Sequence, residues 1–226
     1  MDYYRRMDDV ARCPTILICS QDGFHYYQTQ LKDIASTAKE CPFKRRGAPF
    51  TFDAPAFVKL LRNLRQAPVT EQEEQSLGIW APSFDHAKKD PVENDIYIPS
   101  SQRIIVLEGS YLLLDEEPWR QVRELVDETY VRSLWSRGYK TDQIFCSWFI
   151  DVSREEAKTR IIKRHLAAGI ENTWEAAEKR VETNDLLNLD LVNKNKGFAN
   201  VVIGNSNIDP VWIGTVFSLC LGRGRI

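Results

Sequence analysis

This sequence has no glycine-rich phosphate loop. None of its 11 glycines is followed by lysine, and no G-x-x-x-x-G-K-[ST] occurs in its 226 residues. The backbone amides and the lysine that such a loop offers to nucleotide phosphates are therefore absent. A cysteine metal pattern is absent too. Cys13, Cys19, Cys41, Cys146 and Cys220 form no C-x-x-C, and His25, His86 and His165 are too scattered for a zinc site. The cysteines read as reduced thiols of a cytoplasmic protein. Neither charge sign dominates: 30 basic and 32 acidic residues nearly cancel. No basic field recruits nucleic acid or a membrane surface. Met1 to Arg6 lacks the apolar core of a signal peptide. The most apolar stretch, Val211 to Leu221, is about half of the ~20 residues a membrane span needs. It reads as a terminal packing segment, or as sequence foreign to the fold.

What is present suits one α/β unit over 1–226, with 43% hydrophobic residues to form its core. Four short apolar runs are candidate strands: Thr15–Cys19, Ile104–Leu107, Trp148–Val152 and Asn200–Ile203. They are continuous rather than alternating, which fits a parallel sheet covered on both faces. Helical patterns lie between them. Phe57, Leu60, Leu61 and Leu64 recur at helical spacing behind the start signals Asp53 and Pro55. Trp119, Val122 and Val126 follow Pro118. Ala157, Ile161 and Ile162 form a stripe on a helix rich in Arg and Lys. Asn172 as N-cap with Glu175 predicts a capping box opening a helix over Trp174–Val192. Between about Gln66 and Ser101 the periodicity gives way to a Pro-rich, acidic loop, a length usually reserved for a functional segment or lid. Strand alternating with helix predicts a doubly wound parallel sheet, with ligands outside the carboxyl ends of its strands.

Two acids end apolar strands. Asp22 follows Thr15–Cys19 within Asp22-Gly23-Phe24-His25, and Glu108 closes Ile104–Leu107. A buried carboxylate is costly unless it is paired or on a metal. Phosphoryl transfer needs one carboxylate at the nucleophile and another at magnesium. Each acid also has a plain structural reading: an Asp-Gly hairpin turn for Asp22, a surface acid at a strand end for Glu108. Arg160 and Arg164 lie four apart and could close on phosphates. They equally suit a solvated helix face, with Glu156 one turn before Arg160. Arg45-Arg46-Gly47 reads as an anion-binding loop or a basic surface turn. In Pro82-Ser83-Phe84-Asp85-His86, the histidine reads as a substrate-orienting or a hydrogen-bonded structural residue.

Taken in order, these segments resemble the phosphoribulokinase/uridine kinase family of P-loop kinases, nearest to its fungal and bacterial nucleoside- or pantothenate-kinase-like members. The resemblance runs from about Ile16 to Ile203. It rests on Asp22–His25, Arg45–Asp53, Ala81–His86 with Asp90-Pro91-Val92, Val106–Leu112, Pro118-Trp119, Arg160–His165 and Asn184-Asp185. It implies a P-loop NTPase fold and an ATP- and magnesium-dependent kinase of a small hydroxylated metabolite. Asp22 would be the general base, Glu108 the magnesium ligand, and Arg160 and Arg164 the lid arginines. His25, Arg46, Phe84, Asp85 and His86 would face the substrate. A homodimer is compatible with the apolar residues near Trp212 and Phe217.

Two departures stand out. The family opens with a strand, phosphate loop and helix, whereas only Met1–Pro14 precede the first strand here, so the sheet is expected to be truncated with exposed strand edges. Val131–Ser147 has neither helical nor strand period and fits a retained intron or a surface insertion. The competing functional readings are a non-catalytic paralogue that binds a metabolite or protein partner, and a fragment from a faulty gene prediction.

Overall fold

The computed structural model describes residues 16–35, 42–125 and 147–204, and the backbone of Val216–Gly222. The segment 131–146 discussed above lies outside them.

Among the described residues, seven strands form two sheets: β1 (Ile16–Ser20), β2 (Ile79–Asp85), β3 (Asp90–Ile98), β4 (Ile104–Gly109), β5 (Trp148–Asp151), β6 (Val201–Gly204) and β7 (Val216–Gly222). The main sheet has the order β1-β4-β7-β5-β6. β1 and β4 pair in parallel from Ile16↔Ile104 to Ser20↔Glu108. β5 and β6 pair in parallel from Trp148↔Val201 to Asp151↔Gly204. The four apolar runs are thus four parallel strands, as the doubly wound pattern requires. The fifth strand differs from expectation. β7 runs antiparallel to both β4 and β5 and fills the centre of the sheet. The described part of the apolar run, from Val216, therefore contributes a central strand, and the inner edges of β4 and β5 are paired.

Coverage follows position in the sheet. Ile105 and Leu107 of β4 are fully buried, while Ile16 and Ile18 on the outer strand β1 are 63% and 59% exposed. β4 is thus buried on the face of Ile105 and Leu107 and half-buried on the face of Ile104 and Val106, so the expected burial on both faces is not met in β4 or in the outer strand β1. The larger core joins β4 to the helix Ala54–Gln66 through Phe57, Leu61 and Leu64, with Phe24, Phe52, Tyr111 and Trp119 around them. Phe57 packs edge-on to Phe24 at 4.9 Å. Burying one such ring contributes roughly 2–3 kcal/mol. The Asp53 carboxylate caps that helix by accepting from the Ala56 amide, and Pro55 occupies its first turn. A smaller core sits between helix Arg154–Ala167 and the helical segments after it, around Ala157, Ile161, Ile162, Val181 and Leu186.

Three local expectations are corrected. Thr173, not Asn172, is the N-cap of the helix starting at Trp174; its hydroxyl accepts from the Ala176 amide. Glu175 then falls one position early, and no capping box forms. That helix ends at Arg180, passes through a π turn at Val181–Asp185 and resumes over Leu186–Lys194. Finally, residues 66–101 are not a plain loop: they contain the antiparallel hairpin β2–β3. Pro82 lies at its bulge, between Ala81 and Ser83, where a missing amide is tolerated.

Candidate functional site

The site begins at the carboxyl ends of β1 and β4. Ser20, the last residue of β1, lies in register with Glu108. Its hydroxyl donates to Glu108 Oε2 at 2.7 Å and accepts from the Asp22 amide at 3.1 Å. Gln21–Phe24 is a 3₁₀ turn capped by Ser20, not the hairpin turn that Asp-Gly suggests. A single hydroxyl therefore ties the Glu108 carboxylate to the backbone of Asp22. Burial raises the pKa of Glu108, the Ser20 hydrogen bond opposes that shift, and the nearby Asp22 charge adds to it. The Asp22 side chain is 45% exposed and open to a ligand.

Gly23 lets the hairpin sit directly on this turn. A Cβ there would meet the Pro82 carbonyl oxygen at 2.3 Å. The close approach brings the β2 side chains to Asp22. His25 packs against Phe52 at 3.9 Å and Phe84 at 4.9 Å between ring centroids. His86 meets the edge of Phe84 at 5.2 Å, and the Arg46 guanidinium lies 5.7 Å from the same ring. Arg46 also donates to the Tyr26 carbonyl and to Asp90 Oδ1, both at 3.2 Å. His25 Nδ1 is 2.9 Å from the Asp22 carbonyl and 3.9 Å from its carboxylate. Burial lowers the His25 pKa against the pull of Asp22, so the ring is neutral at neutral pH.

The structure thus joins Glu108, Asp22, His25, Phe84, His86 and Arg46 through a continuous run of contacts. Asp85 is engaged elsewhere: its carboxylate accepts from the Ala87 and Lys88 amides and closes the β2–β3 turn. Arg160 is paired with Glu156 one turn earlier on its helix and is 10% exposed. Arg164 is exposed; with Arg180 it helps hold the His165 pKa at about 4, after burial as the main cause.

The contacts that join several further residues to these are not visible in the sequence. Tyr111, just after β4, donates from its hydroxyl to the Gly47 carbonyl at 2.5 Å, and its amide donates to Gln21 Oε1 at 2.9 Å. Burial raises its pKa, Arg45 lowers it, and Asp185 and Asp22 raise it, so those three charges all lie near one phenol. Arg45 donates to Asn184 Oδ1 at 3.1 Å and to the Asn184 carbonyl at 3.4 Å, across 139 residues of chain. Asn184 and Asp185 sit on the π turn, a local distortion frequent at functional sites.

The acids fit magnesium in one respect. That ion takes one or two carboxylates and fills its remaining positions with water and phosphate oxygens. The charge repulsion between Asp22 and Glu108 is what a divalent cation between them would relieve. Among the described residues, no three His, Cys, Asp or Glu side chains converge as a metal cage, so phosphate oxygens would be required. No phosphate loop is present to cradle a nucleotide, and β7 holds the sheet position between β4 and β5.

No family model matches the chain. Individual relatives do. The chain is 39% identical over 175 residues to the ATP-dependent kinase-like protein notR′ of Aspergillus versicolor, covering 77% of this chain and 88% of that protein. It is 34% identical over 196 residues to a Schizosaccharomyces pombe protein named putative uridine kinase, covering 87% and 72%. Among solved structures it superposes on Saccharomyces cerevisiae YFH7, described as a putative P-loop containing kinase with a circular permutation. The TM-score there is 0.67 at 28% identity, over 85% of this chain and 59% of YFH7.

Proposed function

The chain belongs to the uridine kinase-like family of P-loop kinases, and on that premise we propose that its crevice transfers the γ-phosphoryl group of ATP to a hydroxyl of a small metabolite. The acceptor's class is a nucleoside, a pantothenate-like molecule or a sugar. One observation carries the proposal: the Ser20 hydroxyl joins the half-buried Glu108 carboxylate to the backbone of Asp22, whose own carboxylate is 45% exposed, at the carboxyl ends of parallel strands.

In this reading each residue has one task. The Asp22 carboxylate accepts the proton of the acceptor hydroxyl as its oxygen attacks phosphorus in line. Neutral His25 holds the Asp22 carbonyl, keeping that turn in place. Phe84, His86 and Arg46 wall the acceptor side, with Asp85 shaping their hairpin. Magnesium, when bound at Glu108, would neutralise phosphate charge. Arg164, and Arg160 on release from Glu156, would meet charge that develops on the transferred group.

The test is ADP release from Mg-ATP across a panel of hydroxylated metabolites. Wild type should turn over at least one of them. Asp22→Asn should lower kcat by about two orders of magnitude or more with little change in KM for ATP. An unchanged kcat in that variant removes Asp22 from the chemistry. A second reading is favoured by the sequence's lack of a phosphate loop: a crevice that binds a metabolite without transferring phosphate. It predicts saturable metabolite binding and no ADP at any ATP concentration.

A further inference from the structure

A second opening lies beside the turn that carries Arg45 and Arg46. It is a cavity of about 760 Å³ between the turn at 42–47 and the helical segment at 171–187. Lys44, Arg45, Lys179 and Arg180 line it, and Glu171 is the one acid in its wall. We propose that this cavity is an oxyanion subsite for the acceptor, so that the metabolite phosphorylated at Asp22 carries a phosphate or carboxylate of its own. The inference rests on Asp22 marking the reacting hydroxyl.

Charge is the first ground. Four cations against one acid is a strong bias in a protein whose charges otherwise nearly cancel. Guanidinium forks match phosphate and carboxylate oxygens in pairs, and a recess with low-dielectric walls strengthens that attraction. Arg180 has capacity for such a partner. Its NH1 is 3.6 Å from Glu171 Oε1, and its buried Nε has no hydrogen-bond partner among the described residues.

Position is the second ground. The turn bearing Arg45 is stitched to the segment bearing Asp22: the Tyr26 amide donates to the Thr51 carbonyl at 2.9 Å, and Arg46 donates to the Tyr26 carbonyl. Tyr111 spans the gap, with its hydroxyl on Gly47 and the charges of Arg45 and Asp22 both near its ring. Arg45 therefore belongs to the acceptor wall. An acceptor anchored by its anion in the cavity could reach Asp22 with a hydroxyl. The π turn completes the opposite wall by presenting Asn184 to Arg45. The volume is that of an ordinary small-metabolite site.

The probes are inorganic phosphate, ribose 5-phosphate and neutral ribose, followed by calorimetry at low salt. Both phosphates should bind, with ribose about tenfold weaker or worse. Arg180→Gln and, independently, exposed Lys179→Gln should each weaken ribose 5-phosphate binding, the former by about tenfold. Asp22→Asn should leave phosphate binding intact. Lys179→Gln guards against a fold defect, since its side chain is exposed. Equal binding of ribose and ribose 5-phosphate, or unaltered affinity in both variants, overturns the subsite. Displacement of ribose 5-phosphate by tripolyphosphate in the same cavity assigns it to nucleotide phosphates and overturns it as well. Phosphate binding without any turnover would sink the transfer reading while leaving the subsite standing. Turnover of neutral acceptors alone would do the reverse.

Discussion

His165 is the residue where burial acts most directly on charge. Its ring is 4% exposed, Nδ1 has no partner among the described residues, and Nε2 is 3.9 Å from Asp185 Oδ2. Burial first, then Arg180 and Arg164, lowers its pKa from 6.5 to about 4. The unfolded chain therefore takes up a proton near pH 6.5 that the folded chain refuses until about pH 4. The resulting stability is fully present above pH 6.5 and is lost as pH falls towards 4, by about 2–3 kcal/mol. Glu108 and Asp185 act in the opposite sense. Burial raises both carboxyls, so the fold gains protons there and offsets part of the loss at the acid end. Denaturation midpoints between pH 4 and 7 should fall steeply for wild type and less steeply for His165→Gln. Parallel curves would show that the neutral imidazole is not the source. Cys19 is the contrasting case: burial and the Glu108 charge push its thiol up to about 12, which leaves it a packing residue with no thiolate at neutral pH.

At the scale of elements, the strand at the centre of the sheet carries the sharpest prediction. Phe217 pairs with Glu108 on one side and Trp148 on the other, while the register shifts between Leu107 and Glu108 beside Ser218. Proline at a doubly paired position removes a ladder amide in the middle of a sheet, whereas an irregular position tolerates it better. Phe217→Pro should cost on the order of 2–3 kcal/mol, and Ser218→Pro clearly less, in urea unfolding. Equal midpoints for both variants and wild type would mean that β7 does not hold the slot in solution. The role of this strand was hidden in the sequence because an apolar run does not say where in a sheet it pairs or in which direction. The four parallel strands were legible, since each is a short apolar run bounded by turn residues. The hairpin β2–β3 was not: Pro82, Pro91 and the acids Glu93 and Asp95 suppress the strand pattern that pairing then overrides.

For the whole molecule, the site divides along the same line. Asp22 and Glu108 were legible because an acid ending an apolar strand needs a reason. Arg180, the Tyr111–Gly47 bond and the Arg45–Asn184 contact were not, because they arise only through the fold, across as many as 139 residues. The two halves of the crevice are unequally equipped. In the proposed reading the acceptor side has the Asp22 carboxylate on a hydrogen-bonded turn, an aromatic wall and cations. The nucleotide side of that reading would have Glu108 and the helix arginines, and the sequence offers no glycine-rich loop with a lysine to hold phosphates. Each charge-assisted hydrogen bond to phosphate is worth about 1.5–3 kcal/mol, so losing two or three of them weakens binding by several powers of ten. Mg-ATP should therefore saturate this chain only in the millimolar range, with Glu108→Gln weakening the magnesium dependence further. Calorimetric titration with Mg-ATP and with ATP in chelator checks both points. Micromolar saturation by Mg-ATP would require phosphate-holding groups beyond those described. A millimolar constant together with turnover would mark an enzyme that works through its acceptor side, with affinity for the metabolite positioning the reaction that the nucleotide alone cannot.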